Sequence, residues 1–353
     1  MKNINFKILT ISLLNFFYSN AQTATAKEEF PFKSIKIDTL FQDKISIRAI
    51  LIDEKKVWYA ADKNRFGYYD LLAQNKFENT IQNDTLVLEF RSIAKTSKAL
   101  FILSVGNPAV LYAIDKDGKN TQLVYQENDK KVFYDSMKFW NETDGIAIGD
   151  PILDVFSILL THDAGHTWRK IPKKALPKTA DGEAAFAASN TNIVIRGNRT
   201  WLVSGGKKAR VWYSTNKGKS WRIYETPILQ GKTMTGIFTA DFYDTKNGII
   251  SGGNYENLAQ NFANKAITTN GGKTWQLVSN NQNPGYTSCV QYVPNSNGKG
   301  VVAIGATGLY YSDDGGKTWK QFATDTTLYT IRFVTPTTAI AAGKDKMIRI
   351  EFK

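Results

Sequence analysis

Eight residues near the end of the chain, Ser312-Asp313-Asp314-Gly315-Gly316-Lys317-Thr318-Trp319, recur three more times with the same chemistry, as Thr161–Trp168, Ser214–Trp221 and Thr268–Trp275. The shared pattern is Ser/Thr-x-Asp/Asn-x-Gly-x-Ser/Thr-Trp. A short polar side chain followed by glycine favours a tight turn, because the carboxylate or amide accepts from nearby backbone N–H groups while glycine takes positive φ. The tryptophan that follows is an apolar anchor. Asp163 and Asp314 invite a reading as acids, but Asn216 and Asn270 stand at the equivalent position and cannot serve as general acids. These four residues are therefore read as braces of their own turns, with Trp168, Trp221, Trp275 and Trp319 packing between sheets.

The four tryptophans are spaced by 53, 54 and 44 residues. Periods of roughly 40 to 50 residues suit a β-propeller, in which each blade is a four-stranded sheet. A second piece recurs upstream of each turn: Asp144–Gly149, Thr200–Gly205, Asn247–Gly252 and Gly300–Gly305 each read as turn, apolar strand, glycine. Measured this way, weaker repeats emerge over about 46–83 and 86–126, followed by 133–172, 183–226, 236–278 and 286–323. The last stretch, 328–353, offers three strands, and residues 32–42 supply a fourth from the other end of the chain. The expected fold is all-β, a seven-bladed propeller over 22–353 closed by an N-terminal strand added to the last blade, which removes an exposed sheet edge.

Lys2 and Lys7 precede the apolar run from Ile8 to Phe17, and Ser19-Asn20-Ala21 follows, so 1–21 reads as a secretory signal peptide. The run is short of the roughly 20 residues of a membrane span, and no transmembrane segment is expected in the mature chain. The expected location is the periplasm or the extracellular space. Cys289 is the only cysteine, so no internal disulfide is available, and stability must come from packing and ring closure. The apolar share of 42% and aromatic share of 12% supply that core and exclude general disorder. The formal net charge of +13 becomes +11 once Lys2 and Lys7 leave with the leader. Such a balance favours anionic partners, while no nucleic-acid motif is present. A monomer is expected.

His162 and His166 are the only histidines and flank a turn, so no metal is expected, and triads that need a separate histidine are excluded. No dinucleotide fingerprint, Cys-x-x-Cys or haem motif is present, and no cofactor is expected.

Together these repeats resemble the BNR/Asp-box repeats of the sialidase-like superfamily. The mature chain as a whole is similar to the photosystem II assembly and stability factor-like propellers, and more closely to exported Bacteroidetes relatives often labelled "oxidoreductase". The stretches that carry the resemblance are Asp135–Asn141, Ile148–Pro151, Gly182–Ser189 and Val203–Gly206. It implies a binding or assembly role. The oxidoreductase label has no residues behind it here.

Aligning the innermost strands on Met137 and Phe139 brings Arg48, Arg91, Asp135, Glu183, Phe238, Ser288 and Tyr329 to one level of the channel. A polar site is expected there, made of Arg48, Arg91, Asp135, Glu183, Ser288 and Tyr329, with Asp150 added from a nearby loop. Long connections at 149–157, 172–183, 227–236 and 254–264, carrying Asp150, Tyr255 and Asn257, are expected on the same face, opposite the repeated turns. The preferred reading is a binding module for a protein or an anionic envelope component such as a glycan. The alternative is a sialidase-like glycosidase, with Glu183, Asp135 and Tyr329 as candidate catalytic groups and the two arginines as anion clamps. It lacks an Arg-Ile-Pro segment and a clear third arginine.

Overall fold

The computed structural model describes residues 31–82 and 86–353, and the leader reading over 1–21 lies outside them. Apart from a 3-10 turn at Lys173–Ala175, the regular structure described is strand. Strands such as Leu100–Ser104 and Val301–Gly305 are buried along their whole length. Their continuous apolar sequence is what a strand covered on both faces requires. Outer strands such as Asn75–Thr80 hold no buried residue and carry Lys76, Glu78 and Asn79.

Neighbouring sheets share apolar layers that return on themselves. Phe101 and Leu103 pack with Met137 and Ala147, Ile146 and Ile158 with Leu202 and Trp212, and Trp201 with Phe242 and Ile250. The series continues from Ile249 to Val290 and Tyr310 and from Val302 to Ile331 and Ile350. Ile340 and Met347 then meet Ile47 and Tyr59, and Trp58 and Phe66 meet Ile93 and Ile102. This is an all-β propeller.

Repeat spacing predicts seven blades, whereas hydrogen bonding joins the strands into six sheets, four of four strands and two of six. The difference arises where the chain ends meet. The long strand Ile35–Asp53 pairs its first half with Thr338–Phe352, from Ile35 opposite Phe352 to Ser46 opposite Lys344. Its second half pairs with Lys56–Ala61, from Ile47 opposite Ala61 to Asp53 opposite Lys56. One strand thus serves two ladders and fuses the last and first repeats into one sheet.

Each repeated turn is tied to the turn between the first and second strands of its own repeat. Ala164 N donates to Thr143 O at 3.0 Å, Lys217 N to Asn198 O at 3.0 Å, Gly271 N to Lys246 O at 2.8 Å and Gly315 N to Lys299 O at 2.8 Å. One face of the ring therefore carries all four turns. Within them, Asp163 Oδ1 and Asp314 Oδ1 each accept from a threonine N–H at 2.9 Å, and Asn216 Oδ1 and Asn270 Oδ1 accept the matching bond at 3.0 Å. Gly316 has φ +92°, and a Cβ there would lie 2.8 Å from Ile249 Cδ1. The indole N–H groups of Trp168, Trp275 and Trp319 donate to the glycine carbonyl three residues back, whereas that of Trp221 is buried without a partner.

The fourth repeat departs from the alignment. Its innermost strand is Ile193–Arg196, not the segment beginning at Glu183. Glu183–Ala184 instead forms a two-residue ladder with Gly205–Gly206. The chain from Phe186 to Asn192 crosses the channel and bonds to the inner strands of all the other repeats. Arg48 Nη1 donates to Ala188 O at 3.4 Å, Asn190 Nδ2 donates to Ile93 O at 2.8 Å, and Asn190 Oδ1 accepts from Ser136 Oγ and Met137 N at 3.0 Å each. Thr191 Oγ1 donates to Thr239 Oγ1 at 2.8 Å, Ser189 Oγ to Ser288 O at 2.6 Å, and Arg332 Nη2 reaches Ser189 O at 3.0 Å. This plug divides the channel into two separate mouths. The polar run Ser189-Asn190-Thr191 suits it because buried backbone groups along the axis need partners, whereas the Asn192 amide is buried without one.

Candidate functional site

On the face opposite the repeated turns, the plug forms the floor of a cavity of about 380 Å³ lined by Arg48, Arg91, Asp150, Phe186, Phe238, Tyr255 and Tyr286, among others. The connections that surround it interlock through their backbones. Tyr255 N donates to Met234 O at 2.9 Å, Leu229 N to Ala263 O at 2.7 Å, and Tyr286 N to Leu258 O at 2.9 Å.

One wall is aromatic. Phe186 and Phe238 stack with ring centroids 3.9 Å apart, Tyr286 stands edge-on to Phe238 at 4.8 Å, and Tyr255 lies 5.2 Å from Tyr286. Tyr255 is 43% exposed at the rim, so its ring is open to a partner. The other wall is charged. Arg48 lies 4.1 Å over the Tyr329 ring, and its Nε is buried with no partner. Arg91 forks onto Glu89 through Nε at 2.8 Å and Nη2 at 3.0 Å.

Asp150 Oδ1 accepts from Ala185 N at 2.8 Å, yet burial pushes its pKa up to about 6. Asp135 is fully buried, and neither carboxylate oxygen has a hydrogen-bond partner. Desolvation, and then the nearby Asp150 charge, raise its pKa well above the ordinary range, with Arg91 opposing. Asp135 is thereby favoured in its neutral form.

Of the residues aligned from sequence, Arg48, Arg91, Asp150 and Phe238 converge on this cavity. Asp135 is buried, and Tyr329 stacks on Arg48. Ser288 Oγ is bound to the Ile304 and Tyr329 carbonyls at 3.2 and 2.9 Å. Glu183 is turned elsewhere. Its carboxylate accepts from Ser204 Oγ at 2.6 Å, Trp212 Nε1 at 2.9 Å, Ala180 N at 2.8 Å and both Nε and Nη2 of Arg210. That set of donors saturates a carboxylate and leaves no free lone pair for an acid or nucleophile. Phe186 and Tyr286 were not anticipated as site residues. Repeat spacing sets Phe186 in the inner strand expected to begin near Glu183, and only the placement of Phe238 on the inner level points to an aromatic wall.

The two histidines lie on the opposite face, where His162 Nδ1 is 2.8 Å from Asp144 Oδ1. Among the described residues no group of three or more His, Cys, Asp or Glu side chains is placed to hold a metal ion. No described helix is long and apolar enough to cross a membrane.

The turn geometry has a counterpart among known repeats. Residues 310–321 match the BNR/Asp-box repeat. Comparison with curated proteins gives no sequence match. Among solved structures, YCF48 bound to a D1 peptide aligns with a TM-score of 0.65 at 14% identity, covering 91% of this chain and 97% of that one. YCF48 from Cyanidioschyzon merolae aligns with a TM-score of 0.63 at 14% identity, covering 91% and 98%. The WD40 repeats of RRP9 reach 0.61 at 10% identity, covering 90% and 97%. Scores this close show a shared propeller fold. Repeat and fold together support the resemblance to the photosystem II assembly factor-like propellers.

Proposed function

We propose that the chain is an exported, non-enzymatic binding module that takes a segment of a partner protein into the mouth opposite the Asp-box turns. The observation that carries this reading is the convergence of Arg48 and Arg91 with the Phe186, Phe238, Tyr255 and Tyr286 wall in one cavity of about 380 Å³. Arginine beside aromatic rings suits a peptide that offers a carboxylate next to an apolar or aromatic side chain. One structure of similar fold is YCF48 bound to a D1 peptide, which supports a peptide as the kind of partner. The ring is taken as seven functional repeats, counting the two ladders that share Ile35–Asp53 separately. Residues 1–21 are taken as its leader, and the working form is a monomer in the periplasm or outside the cell.

The glycosidase alternative draws no support from Glu183, whose carboxylate is spent on Arg210, Trp212 and Ser204. The test is a peptide array probed with labelled protein from residue 22 onward. Binding should concentrate on peptides with an acidic group beside an aromatic residue and fall by roughly 10- to 100-fold in Arg48→Ala/Arg91→Ala, the loss expected for charge-assisted hydrogen bonds. Retention of acidic glycans with no peptide bound, or an undiminished double variant, would overturn the proposal.

A further inference from the structure

On the Asp-box side of the plug lies a second cavity, of about 650 Å³, whose lining includes Lys138, Arg196, Arg332, Asp241, Trp140 and Tyr292. Three cations from three different repeats meet one carboxylate there. Asp241 is already committed. Its Oδ1 lies 3.5 Å from Arg196 Nη2 and accepts from Phe242 N at 2.9 Å, and its Oδ2 accepts from Tyr292 N at 2.8 Å.

Arg332 is held in place by neutral acceptors alone: Thr330 Oγ1 at 3.1 Å, Ile331 O at 2.7 Å, Ser189 O at 3.0 Å and the Cys289 sulfur at 3.5 Å. Those contacts fix the guanidinium without neutralising it. The Lys138 ammonium has neither a hydrogen bond nor an ion pair, though the residue lines the cavity. Desolvation, followed by the Arg332 charge, lowers its pKa to about 8 despite the opposing pull of Asp241. Three cations therefore share the single Asp241 carboxylate in a partly desolvated space, and the surplus of positive charge costs free energy unless an anion completes it.

The size of the space says what kind of anion. A single inorganic ion would leave most of about 650 Å³ empty, whereas ligand pockets for small organic molecules run from roughly 300 to 1,000 Å³. Trp140 and Tyr292 offer aromatic surface beside the cations. We infer that this Asp-box-side cavity is a binding site for a small organic anion, a carboxylate or phosphate monoester with a ring or apolar body, held by Lys138 and Arg332. The plug lies between it and the peptide mouth.

The experiment is calorimetric titration of the chain from residue 22 with three probes: phenyl phosphate, phenylacetate and inorganic phosphate. The proposal expects one of the two aryl anions to bind and inorganic phosphate to bind at least about tenfold more weakly. Lys138→Met should weaken the aryl probe by roughly 10- to 100-fold, while Arg48→Ala/Arg91→Ala should leave it unchanged. Which aryl probe binds separates a phosphate from a carboxylate ligand. If Lys138→Met proves unstable, protection of Lys138 from reductive methylation by the probe, mapped by peptide mass in the wild type, reports the same contact. No binding of either aryl anion, equal binding to Lys138→Met, or loss in the Arg48/Arg91 variant would overturn the inference.

Discussion

Asn190 is the residue on which the plug turns, and its removal has a calculable cost. It is 3% exposed and adopts φ 58°. Its side chain accepts from Ser136 Oγ and Met137 N and donates to Ile93 O, joining two neighbouring repeats to the plug. In Asn190→Ala the Met137 N–H and the Ile93 carbonyl each lose a buried partner, at about 1–3 kcal/mol apiece, and the Ser136 hydroxyl adds about 1 kcal/mol. Alanine also tolerates the left-handed conformation less well than asparagine, by roughly 1 kcal/mol. Together these make an expected loss of about 4–8 kcal/mol, a large part of the 5–15 kcal/mol typical of a folded domain. Urea unfolding of the chain from residue 22, followed by tryptophan fluorescence and far-ultraviolet dichroism, measures it. A loss below about 1 kcal/mol would refute the view that the plug is an integral part of the ring.

Three further outcomes follow from named contacts. Gly316→Ala should destabilise by about 1–3 kcal/mol, since its φ of +92° and the Ile249 contact both penalise a Cβ, whereas Asp314→Asn should cost less than about 1 kcal/mol because Asn216 and Asn270 already fill that place; thermal melts compare them. Arg210→Ala should cost about 3–5 kcal/mol by leaving the fully buried Glu183 carboxylate without its cation, and adding Glu183→Gln should recover part of that in the same denaturation assay. Asp150 keeps its proton in the folded chain up to a pH of about 6 but loses it near 3.8 when unfolded, so wild-type stability should fall relative to Asp150→Asn as pH rises between those values and run parallel outside them, as read from urea midpoints across that range.

The Asp-box turns were legible because everything they need is local. The Asp314 carboxylate reaches only to residues 312, 317 and 318, and the demand of Gly316 for positive φ is written in the residue type. The aligned positions of Arg48 and Arg91 were legible for a related reason, since inner strands share one register and repeat spacing transfers it from one to the next. The plug was not. Gly182–Ser189 falls where repeat spacing sets an inner strand, and what decides otherwise are bonds from Asn190 to Ile93 and from Ser189 to Ser288, which lie 97 and 99 residues away in the chain. Glu183 was misplaced for the same reason, because its partner Arg210 sits on a strand whose pairing the repeat pattern does not reveal. The Asp-box face was set aside as merely structural, and the charge held there by Lys138, Arg196 and Arg332 becomes visible only when three repeats are brought around one axis. The sheet count differed from the repeat count because no local signal shows that Ile35–Asp53 runs unbroken through two ladders.

The most direct test of the binding account is site-specific photo-crosslinking with p-benzoylphenylalanine in place of Tyr255, at the rim of the mouth, or of His166, on an exposed Asp-box turn. The protein from residue 22 is irradiated with its best-bound acidic aromatic peptide. The account predicts an adduct from position 255, lost in Arg48→Ala/Arg91→Ala, and none from position 166. An adduct from position 166 alone, or one from 255 that survives the double variant, would contradict it.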